Sequence, residues 1–146
     1  MSKLLKHAPA FLLAAFLAMM GAQKFGAENV IFATIAERSG VSLFEPQIRM
    51  LVGVSEIIAA VLLLFPRTRL LGALGAVAIV GGAIGFHLSP WLGISVSMAP
   101  GAAPTSMLFM MAVGSFVLAV NVLILARATR ADLVIDKLDA STPERS

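Results

Sequence analysis

The sequence predicts an all-α fold: an integral membrane four-helix bundle with N- and C-termini in the cytoplasm. Three observations carry this expectation. First, 59% of the 146 residues are hydrophobic and only 13% are charged, and mean hydropathy is +0.95. A soluble domain of this size cannot hide so much apolar surface. Second, the apolar residues gather in four segments, about 8–25, 46–65, 70–88 and 106–126, each roughly 27–32 Å long as a helix and so able to cross a hydrocarbon core. Third, the basic residues stand at the ends of these segments, where membrane anchoring places them. The net charge of +3 therefore does not point to a nucleic-acid partner, because the cations are dispersed rather than gathered on one face. Helix is required throughout the spans, since lipid offers no partner to open backbone groups.

The first span follows Lys3 and Lys6, as a signal-peptide core would. Ala18-Met19-Met20 and Met20-Gly21-Ala22 both place a large residue where a cleavage site needs a small one, so an uncleaved span is expected. Residues 28–40, ENVIFATIAERSG, end in Gly40 and suit a short amphipathic helix at the membrane surface. Pro46 opens the second span, at a position where a helix tolerates proline. The short turn Phe65-Pro66-Arg67-Thr68-Arg69 makes spans two and three antiparallel neighbours. Residues 89–106 contain three Pro, two Gly and no charge, the composition of a longer loop lying on the membrane or folded over the bundle. After the fourth span, residues 131–146 form a polar cytoplasmic tail, in which Leu133, Val134, Ile135 and Leu138 suggest a brief helix. No internal repeat or second domain is visible.

Orientation follows from the basic residues. Lys3, Lys6, Arg67, Arg69, Arg127 and Arg130 fall on one side of a four-span chain, and the positive-inside rule makes that side cytoplasmic. Depth then follows from helix rise: Lys24 lies about 24 Å along span one, Glu56 about 15 Å into span two, and His87 roughly 25 Å along span three. Glu45, Arg49 and Glu56 are spaced i, i+4 and i+11, on one face of the second helix. An ionised carboxylate facing lipid at mid-depth is costly, so this face should point inward. Glu56 then needs a countercharge or a proton, and Lys24, Arg49 and His87 are the candidates.

Two readings of this cluster stand side by side. It is a structural polar network that fixes helix pairing, or it is the polar head of a cavity open to the outer leaflet, suited to a lipid, a quinone or a small acid. A proton or ion path is a third, opposed by the purely apolar run from Ile57 to Phe65. Gly81 and Gly85 form a GxxxG pair expected to bring helices together, and Asn121 is expected to bond across helices. Met98, Met107, Met110 and Met111 read as pliable packing rather than a metal site. No metal, haem, flavin or nucleotide motif is recognisable, the chain has no Cys, and no catalytic residue is assigned.

The segments GAQKF (21–25), GVSEIIAAVLLLFPRTRLLGA (53–73) and AIVGGAIGFHL (78–88) resemble the DoxX / DoxX-like family of small four-helix bacterial membrane proteins. The resemblance spans roughly residues 8–125, and Gly-x-x-Glu followed by the Pro-Arg turn is its most specific part. It implies emphasis on Lys24, Glu56 and His87, a place in the bacterial inner membrane, and association with quinone-dependent membrane oxidoreductase systems. The expected partners are membrane lipid, a quinone, a membrane or soluble redox protein, and a second copy of the chain. The alternative is a non-enzymatic scaffold or assembly factor.

Overall fold

The structure, a computed structural model, describes residues 3–99 and 101–141. It contains five α-helices: α1 (Lys3–Ala22), α2 (Val30–Ser39), α3 (Gln47–Leu64), α4 (Arg69–His87) and α5 (Met107–Ser141). Four of these, α1, α3, α4 and α5, are long and apolar enough to cross a membrane, so the chain is a multi-pass membrane protein. Among the described residues, strand-type pairing is confined to one bridge between Val96 and Thr105.

The central spans begin and end close to the expected positions, with Pro46 just before α3 rather than inside it. Two boundaries differ. α1 ends at Ala22 and its last turn tightens into a 3₁₀ turn, Gln23–Phe25, which carries Lys24. α5 does not stop near residue 126 but continues as one helix to Ser141. Between Ala126 and Ser141 there is neither Gly nor Pro, and the Ala, Leu, Arg and Lys of this stretch favour helix, so polarity alone does not end it. The last five residues of the expected polar tail, 142–146, lie outside the described residues.

The four long helices form a ring in the order α1, α3, α4, α5. Their shared core is built from small and branched residues, Leu13, Leu17, Ala59, Leu63, Ala73, Ala76, Ala119 and Val122 among them. Large apolar side chains such as Leu12, Leu51, Leu71, Val117 and Ile124 point outward, which in water would be a liability and in lipid is the expected surface. Asn121 also faces outward rather than bonding across helices, so the ring buries Val122 and leaves its neighbour exposed.

One end of the ring is tied by polar side chains that donate to main-chain carbonyls. Thr68 Oγ1 donates to Leu62 O at 2.9 Å, and Arg69 Nε donates to Leu63 O at 3.0 Å. These bonds satisfy carbonyls that the end of α3 would otherwise leave free. Arg69 Nη1 donates to His7 Nδ1 at 2.8 Å, joining the start of α4 to α1. Here α3 and α4 touch through backbone: a Cβ on Gly72 would lie 2.8 Å from Leu63 N and 3.0 Å from Ala59 O.

The opposite end is covered. α2 is capped by the Asn29 side chain, which accepts from Ile31 N and Phe32 N, and by Gly40 in the left-handed region at φ 73°. Ile35 of α2 packs with Leu92 and Val96 of the 88–106 loop, backed by Phe44 and Phe86. Arg38 Nη1 donates to Leu92 O at 3.3 Å. α2 thus pairs with the loop to close this end of the ring.

Candidate functional site

The crossing of α1 and α3 positions the buried charges. Gly21 stands three residues before Lys24, and Gly53 three before Glu56. A Cβ on Gly53 would fall 2.9 Å from Lys24 Cβ, and one on Gly21 would fall 2.9 Å from Gly53 O and 3.1 Å from Glu56 Cβ. Each charged residue therefore packs its Cβ over the other helix's glycine. The absence of side chains there lets two antiparallel helices approach until their ionisable groups meet. Close packing in the GxxxG pair of α4 is not what brings helices together: Gly81 faces the Phe116 ring at 3.4 Å, while nothing lies near Gly85.

Lys24 Nζ donates to Glu56 Oε1 at 3.0 Å and stands 2.8 Å from Oε2. It also donates to Met20 O at 3.2 Å. Helical side chains lean toward the helix N-terminus, so the Lys24 side chain runs back along α1, away from the covered end and toward Glu56. Both residues are buried, 7% and 6% exposed. Glu56 Oε2 is buried with no aligned hydrogen bond.

Arg49 has a different role. It is the largest fully buried side chain, 1% exposed. Nη1 donates to Lys24 O, and to Gly26 O at 2.9 Å, while Nε stands 2.7 Å from Glu45 Oε1. These contacts clamp the carbonyl end of α1 to the start of α3. Arg49 thereby fixes the backbone that carries Lys24, and Glu45 serves as its counterion.

His87, 6% exposed, packs edge-on against Phe109 with ring centroids 5.8 Å apart. Its Nδ1 lies 2.8 Å from Gly93 O, and since a carbonyl only accepts, Nδ1 carries the proton. In the neutral ring this leaves Nε2 as an acceptor. The Gly93 carbonyl is held in place by the turn that Gly93 makes at φ 84°.

Lys24, Glu56 and His87 line one cavity of about 540 Å³, within the range of small-molecule sites. Its walls come from all four long helices and from the start of α2. Phe16, Leu17 and Met20 contribute from α1, Val80 and Phe86 from α4, and Leu108, Met111 and Ala112 from α5. The cavity is therefore mostly apolar, with the Lys24–Glu56 pair on one wall, His87 near the cover, and Ser115, whose Oγ donates to Ala112 O at 3.0 Å, on another. Such an arrangement suits a molecule with a small polar head and a large apolar body. Arg49 does not line it.

The four polar residues, and a cavity beside them as one of two readings, were visible in the sequence; the glycine crossing was not. The paired Gly-x-x-Lys and Gly-x-x-Glu spacing was the available signal for the crossing. No protein-family model, curated protein or solved structure matches this chain.

Proposed function

We propose that this chain is a DoxX-like protein of the bacterial inner membrane that binds a quinone or a lipid-like molecule in a cavity near the outer leaflet. It serves as a membrane subunit of an oxidoreductase system. The observation that supports this most is the apolar cavity of about 540 Å³ with a buried Lys24–Glu56 pair in its wall. A cavity of this size, walled mostly by apolar side chains with a few polar groups, has the build of a site for an amphiphile. Orientation rests on the basic residues: Lys3, Lys6, Arg67, Arg69, Arg127 and Arg130 mark the cytoplasmic side, which places the α2 end outside. A polar head with hydroxyl donors, as in the reduced hydroquinone form, would donate to Glu56 and to the His87 acceptor, and the apolar body would fill the space beside Phe16, Phe86 and Met111.

Glu56→Gln keeps the shape of the site and an acceptor for Lys24 but removes the charge. Its affinity for a decyl-tailed benzohydroquinone, whose hydroxyls can donate to the carboxylate, is expected to fall about tenfold, since one hydrogen bond to a charged group contributes roughly 1.5–3 kcal/mol. Titration by native mass spectrometry in detergent measures this. Equal affinity in the two proteins would remove Glu56 from the binding site.

A second reading, a non-enzymatic scaffold, draws on Arg49. A guanidinium spent on two main-chain carbonyls and Glu45 is an architectural device. Under this reading Lys24–Glu56 is its companion, and the partner of the chain is another membrane protein.

A further inference from the structure

We propose that the cavity opens sideways into the bilayer between α3 and α4, and that its occupant is an amphiphile whose hydrocarbon tail passes through this gap. This rests on the cavity being a ligand site and adds the route and the class of molecule.

The separation of the two helices can be followed along a single line of α4. Gly75 and Gly82 are seven residues apart and so lie on nearly the same face. A Cβ on Gly75 would stand 3.6 Å from Ala59 Cβ of α3, while a Cβ on Gly82 would meet nothing within 4 Å. Gly72, one turn closer to the connecting turn, is in backbone contact with Leu63 and Ala59. The helices are thus joined at the turn and part toward the covered end.

The residues at this parting both line the cavity and are exposed: Leu51 on α3, and Ala78, Gly82 and Ala83 on α4. A wall residue that is also open to the outside marks an opening. On α4 these residues are small and leave room for a chain, and Leu51 and the half-buried Ser55 face them across the gap. Ser55 Oγ donates to Leu51 O at 2.8 Å, so its polarity is spent within its own helix and the gap stays compatible with hydrocarbon.

Two of the other sides are closed by direct packing, and the wider α1–α5 seam is lined by the large side chains Phe16, Met20, Leu108 and Met111. The α1–α3 side is shut by the Gly21–Gly53 crossing, and the α4–α5 side by Phe116 against Gly81. Phe16 and Phe116 pack on the core on the α1 and α5 sides. Ile35, Leu92 and Val96 close part of the covered end; the exposed wall residues there, Gln23, Glu28 and Met98, include two polar side chains and form a rim suited to water rather than to a hydrocarbon tail. Within the cavity, Glu56 is 6% exposed and its Oε2 stands 2.8 Å from Lys24 Nζ; a carboxylate oxygen with one such contact keeps a lone pair for a donor on a polar head. A head held there and a tail leaving between Leu51 and Gly82 together describe a single-tailed amphiphile drawn from the membrane.

The test compares wild type, Gly82→Trp and Gly114→Trp in nanodiscs of dioleoylphosphatidylcholine. Gly114 is exposed on α5, outside the cavity, and nothing lies within 4 Å of a Cβ placed there, so its variant controls for a bulky residue in lipid. The probes are a decyl-tailed benzohydroquinone, whose hydroxyls donate, and the same hydroquinone without its tail. The expected result is about tenfold weaker binding of the tailed probe to Gly82→Trp, with the tailless probe and the Gly114→Trp protein unaffected. Equal binding of the tailed probe to Gly82→Trp and wild type would overturn the lateral route while leaving the site intact. Loss of both probes from Gly82→Trp would also overturn the tail route. If wild type binds neither probe, the proposal falls together with the ligand reading beneath it.

Discussion

Lys24→Met should destabilise the protein by about 3–5 kcal/mol, the cost of leaving a buried charge without its partner, read as a large drop in thermal midpoint in detergent. Lys24 Nζ is within 3.0 Å of both Glu56 oxygens, and both side chains are almost wholly buried. Among the described residues Lys24 is the cation paired with Glu56, and Arg49 is engaged with Glu45 and the carbonyls of Lys24 and Gly26. Met keeps most of the length of the Lys stem, so the loss reports charge more than packing. The double variant Lys24→Met/Glu56→Leu should recover much of the stability, since replacing a whole buried pair by apolar groups is often neutral or favourable. A thermal series on the two singles and the double gives their coupling directly. Additive losses would mean that the two groups do not depend on each other. The double variant also separates stability from binding: a protein that folds again but does not bind a tailed hydroquinone has lost the site and kept the scaffold.

Arg49→Met is expected to cost a similar amount, about 3–5 kcal/mol, because it removes one member of a buried ion pair. It leaves the carbonyls of Lys24 and Gly26 without their guanidinium donor, and Glu45 without its cation. Each buried polar group left unpaired costs about 1–3 kcal/mol. The damage should be directional, since these contacts hold the end of α1 to the start of α3. Limited proteolysis should therefore show new cleavage in the connector around Gly26–Asn29, with α4 and α5 still protected. Arg49→Lys should fall between wild type and Met, as an ammonium cannot span two carbonyls and a carboxylate as a planar fork does. Wild-type stability and protection in Arg49→Met would show that the clamp is dispensable.

Much of the fold was legible in the amino-acid pattern because lipid imposes strong rules. Apolar length, helix-breaking turns and charged ends located α3 and α4 within a residue or two. Gly40 marked the end of α2 through its left-handed conformation. The extension of α5 to Ser141 was not legible from polarity, because a helix with good propensity and no breaker runs past the apolar segment.

The site was legible in its residue types and not in its pairings. Periodicity put Arg49 and Glu56 on one face of α3, and both are buried. Which cation reaches Glu56 depends on how closely α1 approaches α3, a property of Gly21 and Gly53 acting together. His87 is aimed by the loop carbonyl of Gly93, six residues on, a contact no periodicity encodes. The cavity is a negative feature: it exists where α3 and α4 part beyond Gly75, and no single residue announces it.

The account turns on whether the cavity is occupied. The most direct measurement is native mass spectrometry of the protein extracted into nanodiscs from its own membrane, with Ala112→Phe alongside. Ala112 is a small, 9% exposed residue in the cavity wall, and a phenyl ring there takes ligand volume from α5, a different wall from the α1–α3 crossing that carries the Lys24–Glu56 pair. The account predicts one tightly held amphiphile per wild-type chain, absent from Ala112→Phe while its thermal midpoint is maintained or raised by the filled space. A wild-type chain without such a ligand, or equal retention by Ala112→Phe, would contradict it.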